Sequence, residues 1–251
     1  MQLNIIKLES TDSTNNYAHN LIKNSEKSIS ELSGTVIWSL EQTMGRGQRT
    51  NKWESESGQN LTFSLIITPS TLPVAKQFLL SKIISLAVHD FLSKIFQDVT
   101  IKWPNDLYIG DKKIAGILIE NSVKGSEIFS SVIGIGLNVN QLNFSAEIPN
   151  VTSMRMISNK TYNIEQILHL VLEQVFVRLM HFFEEKTDSS LDTEYLKKLF
   201  RYNEQAKFKV KNEIIEGIIC GVNEYGFLRL KPVNLGPIME YPFKEIEFII
   251  D

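Results

Sequence analysis

Residues 133–140 read Ile133-Gly134-Ile135-Gly136-Leu137-Asn138-Val139-Asn140. A strict period of two over eight residues is the pattern of a β-strand. It puts Ile133, Ile135, Leu137 and Val139 on one face and Gly134, Gly136, Asn138 and Asn140 on the other. The first face can pack on helices. The second is bare at two positions and carries amides at the next two. Such a face accepts either the close approach of another backbone or a ligand lying flat against it. The chain must therefore build a sheet that is covered on one side and open, in part, on the other.

The rest of the chain supplies the remaining strands and the cover. Residues 2–8, 34–40, 61–68, 99–103, 106–109, 114–120 and 128–139 read as strands, and Gly110-Asp111 is a turn between two of them. Residues 10–15 offer several N-caps for a helix carrying Ala18, Leu21 and Ile22. Pro73 opens a longer helix with Ala75, Phe78, Leu79, Ile83, Leu86 and Ala87 on one face. Further helices are expected over 164–184 and 193–200. From Ala206 the pattern changes to short strands between Gly217, Gly221, Gly226 and Gly236, the signature of a small β-barrel. The class is α+β: a mixed, largely antiparallel sheet with helices over 1–204, then a small β domain over 205–251.

Composition closes several routes. The 251 residues hold one cysteine, Cys220, so no intrachain disulfide and no Cys-based zinc site can form. Its apolar surroundings predict a buried thiol. No run is long and apolar enough to cross a bilayer, and the first residues lack the plan of a secretory signal, so a cytoplasmic protein is expected. The formal net charge is -3. Nucleic-acid binding is not expected from that charge, and the one basic cluster, residues 46–52, suits a small anionic ligand.

That cluster lies in a long glycine-bearing loop: Gln42, Thr43, Met44, Gly45, Arg46, Gly47, Gln48, Arg49, Thr50, Asn51, Lys52, Trp53. Exposed backbone N–H groups, two guanidinium forks and an indole face suit a phosphate or carboxylate beside a flat ring. A solvated basic hairpin reads the same way, and neither a P-loop nor a dinucleotide fingerprint is present. The segment Lys102-Trp103-Pro104-Asn105-Asp106 forces a turn or bulge, because Pro104 cannot continue a ladder. Lys113 stands at the mouth of the apolar strand Ile114-Ala115-Gly116-Ile117-Leu118. It either snorkels to water or points its ammonium at a phosphate.

Taken together and in order, these segments resemble the catalytic region of biotin protein ligases over about residues 8 to 140. The matching elements are Asp12-Ser13-Thr14-Asn15, Gly45-Arg46-Gly47-Gln48-Arg49 with Trp53, Lys102 to Asp106, Lys113 to Leu118, and Gly134-Ile135-Gly136-Leu137-Asn138. The resemblance implies a fold related to class II aminoacyl-tRNA synthetases, with an SH3-like C-terminal barrel. It implies activation of biotin by ATP with Mg²⁺, then transfer of the biotinyl group to a lysine of a biotin carboxyl carrier domain. On that resemblance Arg46 and Lys113 stabilise the reacting carboxylate and α-phosphate, and Asp106 orients the incoming lysine. Ser13, Thr14, Asn15 and Gln42 take the biotin head group. Gly116, Leu118, Ile135 and Gly136 wall the bicycle and its chain, and Trp53 and Asn138 contact adenine. Gly45, Gly47, Gln48 and Arg49 complete the loop over the ligand. The family often has Arg where this chain has Gln48, and Gly where it has Thr50.

Three alternatives frame that expectation. A lipoate ligase shares the architecture and the adenylate chemistry. A non-catalytic module would sense biotin or its adenylate without turnover. Some members are also repressors with an N-terminal helix-turn-helix. Here the Ser13-Thr14-Asn15 motif follows the first strand so closely that a ligase without repressor function is expected. Open sheet edges make a homodimer a further expectation.

Overall fold

The computed structural model describes residues 3–48, 51–69, 72–185, 188–234 and 236–250. In chain order the elements are β1 (Asn4–Thr11), α1 (Thr14–Asn24), α2 (Ile29–Leu32), β2 (Thr35–Gln42), β3 (Leu61–Ile67), α3 (Phe78–Ser93), β4 (Val99–Lys102), β5 (Asp106–Ile109), β6 (Lys112–Lys124) and β7 (Glu127–Leu137). There follow α4 (Met154–Ser158), α5 (Ile164–Glu185), α6 (Asp188–Lys197), β8 (Gln205–Val210), β9 (Glu213–Val222), β10 (Leu228–Pro232), β11 (Met239–Tyr241) and β12 (Ile246–Phe248). None of the described helices is long and apolar enough to cross a membrane.

The first seven strands form one sheet in the order β1-β2-β3-β7-β6-β5-β4. Only β1 and β2 are parallel, joined across α1, and every other pair is antiparallel. The last five strands form a second, antiparallel sheet in the order β11-β10-β9-β8-β12. This is the α+β arrangement expected, with the β-rich part at the C-terminal end.

Alternation decides what covers the first sheet. Phe63, Leu65, Ile133, Ile135 and Leu137 point to one side and merge with Leu80, Ile83, Ile84 and Ala87 of α3 and Leu168, Val171 and Leu172 of α5. Each fully buried Leu, Ile, Val or Phe among them contributes roughly 1.5–3 kcal/mol. On the other side α1 and α2 cover only part of the sheet, through Ala18, Leu32, Ile37, Ile66 and Val132. The remainder of that side stays open.

Several boundaries differ from the sequence expectation for identifiable reasons. Pro73 does not open an α-helix. Val74 N–H donates to Ser126 O and Ile128 N–H to Leu72 O, which pins the chain extended there. A single 3₁₀ turn, Val74–Lys76, follows, and α3 starts only at Phe78. Residues 198–200 leave the last helix to pair with edge strand β4, through Ile101 N–H to Lys198 O at 2.8 Å and Phe200 N–H to Ile101 O at 2.9 Å. α6 accordingly ends at Lys197 and begins earlier than expected, at Asp188. The short helices α2 and α4 carry too few residues for a helical period, although Ser28 and Glu31 form a capping box. Cys220 is half-buried rather than buried, and its thiol lies 3.4 Å from Arg229 O.

Candidate active site

The open side of the first sheet carries a straight cross-strand row. Register pairs Ser39 with Thr62, Thr62 with Gly136, Gly136 with Gly116, Gly116 with Asp106, and Asp106 with Lys102. The middle of the row has no side chains, so a floor is left where a flat group can rest. A cavity of about 820 Å³ stands over this floor, within the usual range for a small-molecule site.

One end of the floor carries uncharged hydrogen-bonding groups. Ser13 stands at the N-cap of α1, and its side chain makes no capping bond. Thr14 donates to Gln42 Oε1 from its N–H (2.8 Å) and its hydroxyl (3.1 Å). Ser64, fully buried on β3, holds its hydroxyl 2.7 Å from Thr14 Oγ1 and 2.6 Å from Asn15 Oδ1. A Cβ on Gly134 would collide with the Asn15 amide, so that glycine is what lets α1 approach the sheet. Ser13, Thr14, Asn15 and Gln42 all line the cavity.

Two of the cations, Lys113 and Arg46, lie at separate places, each on a carboxylate. Lys113 Nζ is 2.8 Å from Asp106 Oδ1, and a Cβ on Gly116 would sit 3.3 Å from both atoms. Arg46 grips Glu120 with two bonds, Nη2 to Oε1 at 2.7 Å and Nη1 to Oε2 at 3.2 Å, and donates to Asn16 Oδ1 at 2.8 Å. Asn15 Nδ2 (2.8 Å) and His19 Nε2 (3.2 Å) complete the surroundings of Glu120. Burial works against this carboxylate, but Asn15 and Arg46 outweigh it and hold its pKa below the usual value. Glu120 and Gly116 are four residues apart on one strand, about 13 Å at the usual rise. The two cations thus do not converge on one point in this arrangement.

Between them lies Trp53. Its indole rests on Gly116 and Gly136, and a Cβ on Gly136 would run into the ring. Lys113 Nζ is 5.7 Å from the ring centroid, and the indole N–H is buried without a partner among the described residues. Arg46, Gly47, Gln48, Trp53, Asp106, Lys113, Gly116, Leu118 and Gly136 line the cavity with the polar end described above. Ile135 reaches the cavity from between the floor glycines, while its side chain lies in the core, 2% exposed.

Two expected site residues lie off the cavity. Gly45 packs its backbone on that of Trp53, with Trp53 N–H donating to Gly45 O at 3.0 Å. Asn138 is buried, and its amide donates to Thr152 O at 3.0 Å. Arg49, with Thr50, lies outside the described residues. Several residues were not anticipated. Glu120 shares the parity of Gly116 and Leu118 along β6, a signal present in the sequence. Lys102 becomes a floor residue only through the β4–β5 register. Phe243, Lys244, Glu247 and Phe248 wall the cavity from the second sheet, and no motif marks them.

Residues 8–138 match the family model described as the biotin/lipoate A/B protein ligase family.

The chain belongs to the biotin/lipoate A/B protein ligase family.

Among its relatives, the bifunctional ligase/repressor BirA of Bacillus subtilis is 35% identical over 130 residues, which is 49% of this chain and 40% of that protein. The biotin–[acetyl-CoA-carboxylase] ligase of Paracoccus denitrificans is 35% identical over 136 residues, 53% of each. The chain thus spans about half or less of the curated relatives it matches here. Among solved structures, the biotin protein ligase from Aquifex aeolicus in complex with biotin and ATP superposes with a TM-score of 0.79 at 28% identity, over 99% of both chains. The family match covers both ends of the floor, from the Ser13 cluster to Gly136, and stops before the second sheet.

Proposed function

We propose that this chain activates biotin with ATP and transfers it to a lysine of a carrier protein. The observation that carries the reading is the polarity of the floor. Hydroxyls and amides stand at one end, an ammonium on a carboxylate stands further along, and bare glycines lie between. A ligand that suits it has an uncharged polar head, an apolar body and an anionic tail. Biotin has these in its ureido ring, thiophane and carboxylate. The ligand named for the Aquifex aeolicus structure supports the same reading.

In the first step a biotin carboxylate oxygen bonds to the α-phosphorus of ATP, and the bond to the bridging oxygen breaks to release pyrophosphate. Two anions must meet, so fixed positive charge contributes most where charge accumulates. Lys113 supplies it beside Gly116. Arg46 supplies it after leaving Glu120, and brings its loop over the ligand with it. Trp53 and Asn138 are assigned to the adenine, with Asn138 acting from behind the β7 end. In the second step a carrier lysine amine attacks the acyl carbon, loses a proton and expels AMP. Asp106, exposed to the cavity and adjacent to Lys113, orients that amine. The name of the Paracoccus denitrificans relative supports a biotin-dependent carboxylase as the source of the carrier.

Magnesium fits as a companion of the nucleotide rather than as a resident ion. Among the described residues no cluster of three or more His, Cys, Asp or Glu side chains could hold a metal. The described carboxylates that line the cavity are Glu54, Asp106, Glu147 and Glu247. An ion carried by ATP phosphates needs few protein ligands and neutralises charge on them.

The polar end favours biotin over lipoate. A dithiolane makes no hydrogen bonds with this end, so it forgoes the roughly 0.5–1.5 kcal/mol that each bond to a ureido ring contributes. Incubation with ATP, magnesium and either acid, followed by mass spectrometry, tests this. A biotinyl-adenylate alone is the expected result. A lipoyl-adenylate alone, or no adenylate from folded protein, would overturn the assignment.

A further inference from the structure

Among the described residues, three lysines of the cavity have no carboxylate within pairing distance, and of these Lys102 is half-buried while Lys52 and Lys244 are exposed. Lys102 ends β4. No described group accepts a hydrogen bond from its ammonium or pairs with it within 4 Å. Asp106, its register partner across the β4–β5 ladder, is taken by Lys113 at 2.8 Å. Two aromatic rings hold the ammonium instead: Tyr108 of β5, with its centroid 5.2 Å away, and Phe248 of β12, at 5.1 Å. Both distances lie within cation–π range. Phe248 is itself fixed by Phe208 at 5.2 Å and Phe200 at 6.1 Å, so the second sheet sets where Lys102 stands.

The surroundings call for an anion. Burial lowers the pKa of Lys102, and nearby Lys113 and Arg201 lower it further against the opposing pull of Asp106 and Glu247. Rings stabilise an ammonium but do not complete its three hydrogen bonds. Beyond it, the turn over residues 242–245 packs Phe243 on Trp103 at 5.0 Å and contributes Lys244 to the same wall. Along the floor the order is therefore uncharged polar end, glycines, Lys113 with Asp106, then Lys102. The far end lies past the place where the reacting carboxylate meets phosphorus.

We propose that Lys102, positioned by Phe248 of the second sheet, binds the β- and γ-phosphates of the nucleotide and the pyrophosphate derived from them. This inference rests on reading the cavity as an adenylation site. It adds a role for the C-terminal module, which supplies half of the aromatic clamp. A single ammonium suits a phosphate oxygen as a point charge. Its contact is absent with AMP, so Lys102 distinguishes ATP from AMP at the site.

Calorimetric titration of the whole protein with ATP, AMP and inorganic pyrophosphate, each with magnesium, tests this without requiring turnover. Lys102→Met should weaken ATP and pyrophosphate binding about tenfold or more, the loss expected for one charge-assisted hydrogen bond. AMP and biotin binding should stay within about twofold. Lys102→Arg should recover most of the loss, and Phe248→Leu should show a smaller loss with the same selectivity for ATP over AMP. Unchanged ATP and pyrophosphate binding in Lys102→Met would overturn the proposal. So would equal losses for ATP and AMP, which mark a merely structural lysine, and so would a wild type that binds neither ATP nor pyrophosphate. Biotin is titrated separately, so a protein that binds ATP selectively through Lys102 but not biotin would overturn the choice of acid substrate alone.

Discussion

Arg46 and Lys113 are each neutralised by a carboxylate, at separate places on the same cavity. An anionic substrate must compete with those partners, and the outcome depends on how strongly each holds. Lys113 has a short way to go, because Asp106 and the floor at Gly116 are both in contact with it. Lys113→Ala should lower acyl-adenylate formation by about two orders of magnitude, the cost of removing one preorganised donor. Pyrophosphate release measures it, and an unchanged rate in folded protein would remove Lys113 from the mechanism. Arg46 has further to move. Its pair with Glu120 is partly exposed, 39% and 26% for the two side chains, so the hold is worth about 1 kcal/mol at most. Glu120→Gln keeps the contact with Asn15 and weakens the grip on Arg46. Biotin affinity should then rise about fivefold, the equivalent of that ~1 kcal/mol. Weaker binding on calorimetry would show instead that Glu120 supports the biotin pocket through Asn15.

The helices behind the sheet are tied by a second set of charges that takes no part in the chemistry. Arg178 of α5 donates to Asp90 of α3 at 2.7 Å and to Glu194 of α6 at 2.7 and 2.6 Å. Arg178→Ala leaves two carboxylates without their cation. Because Glu194 is 39% exposed, the expected loss is about 2 kcal/mol, below the 3–5 kcal/mol of a fully buried pair. For Asp90 burial raises the pKa, but His89 and Arg178 bring it below the ordinary value. For Glu194 the Arg178 bond lowers it. A depressed carboxylate stabilises the fold above its unfolded pKa, and that contribution is lost as pH falls through the folded value. Urea midpoints of wild type and variant should therefore differ at pH ~7 and converge below pH ~4. A gap that persists in acid would assign the loss to packing instead. Elements of this size are where the sequence was most legible. The alternation of residues 133–140 gave both the covered face and the glycine floor, and fourteen of the seventeen expected residues line one cavity. What stayed hidden depends on distance along the chain. The pairing of residues 198–200 with β4 ended α6 early, the link from Val74 to Ser126 delayed α3, and the β4–β5 register brought Lys102 to the floor. None of these long-range hydrogen bonds leaves a local period.

At the scale of the molecule the two sheets share one core. Trp103, at the turn after β4, donates its indole N–H to Gly226 O at 2.8 Å and packs on Phe243, which also meets Phe78 of α3 at 6.1 Å. Phe208, Ile219, Leu228 and Leu230 of the second sheet belong to the same buried cluster as α3 and α5. A division at residues 204 and 205 is thus one of sheet connectivity, and the proposed reading is of two modules that fold and unfold as one unit. Trp103→Phe keeps an aromatic ring against Phe243 and removes only the bond to Gly226. The expected cost is about 1 kcal/mol, the net worth of one such bond. If the core is shared, urea unfolding followed by fluorescence and by far-ultraviolet circular dichroism should give coincident transitions in both proteins. The variant's single midpoint should shift by the same amount in both signals. A separate early transition carrying the β-sheet signal of the C-terminal module would show that the modules unfold independently. Phe248 would then hold Lys102 in place only while the second sheet stays docked. Saturating ATP provides the complementary measurement, since a ligand that binds only the folded form raises its stability. With the cavity walled by both sheets, ATP should raise one common midpoint rather than that of the first sheet alone.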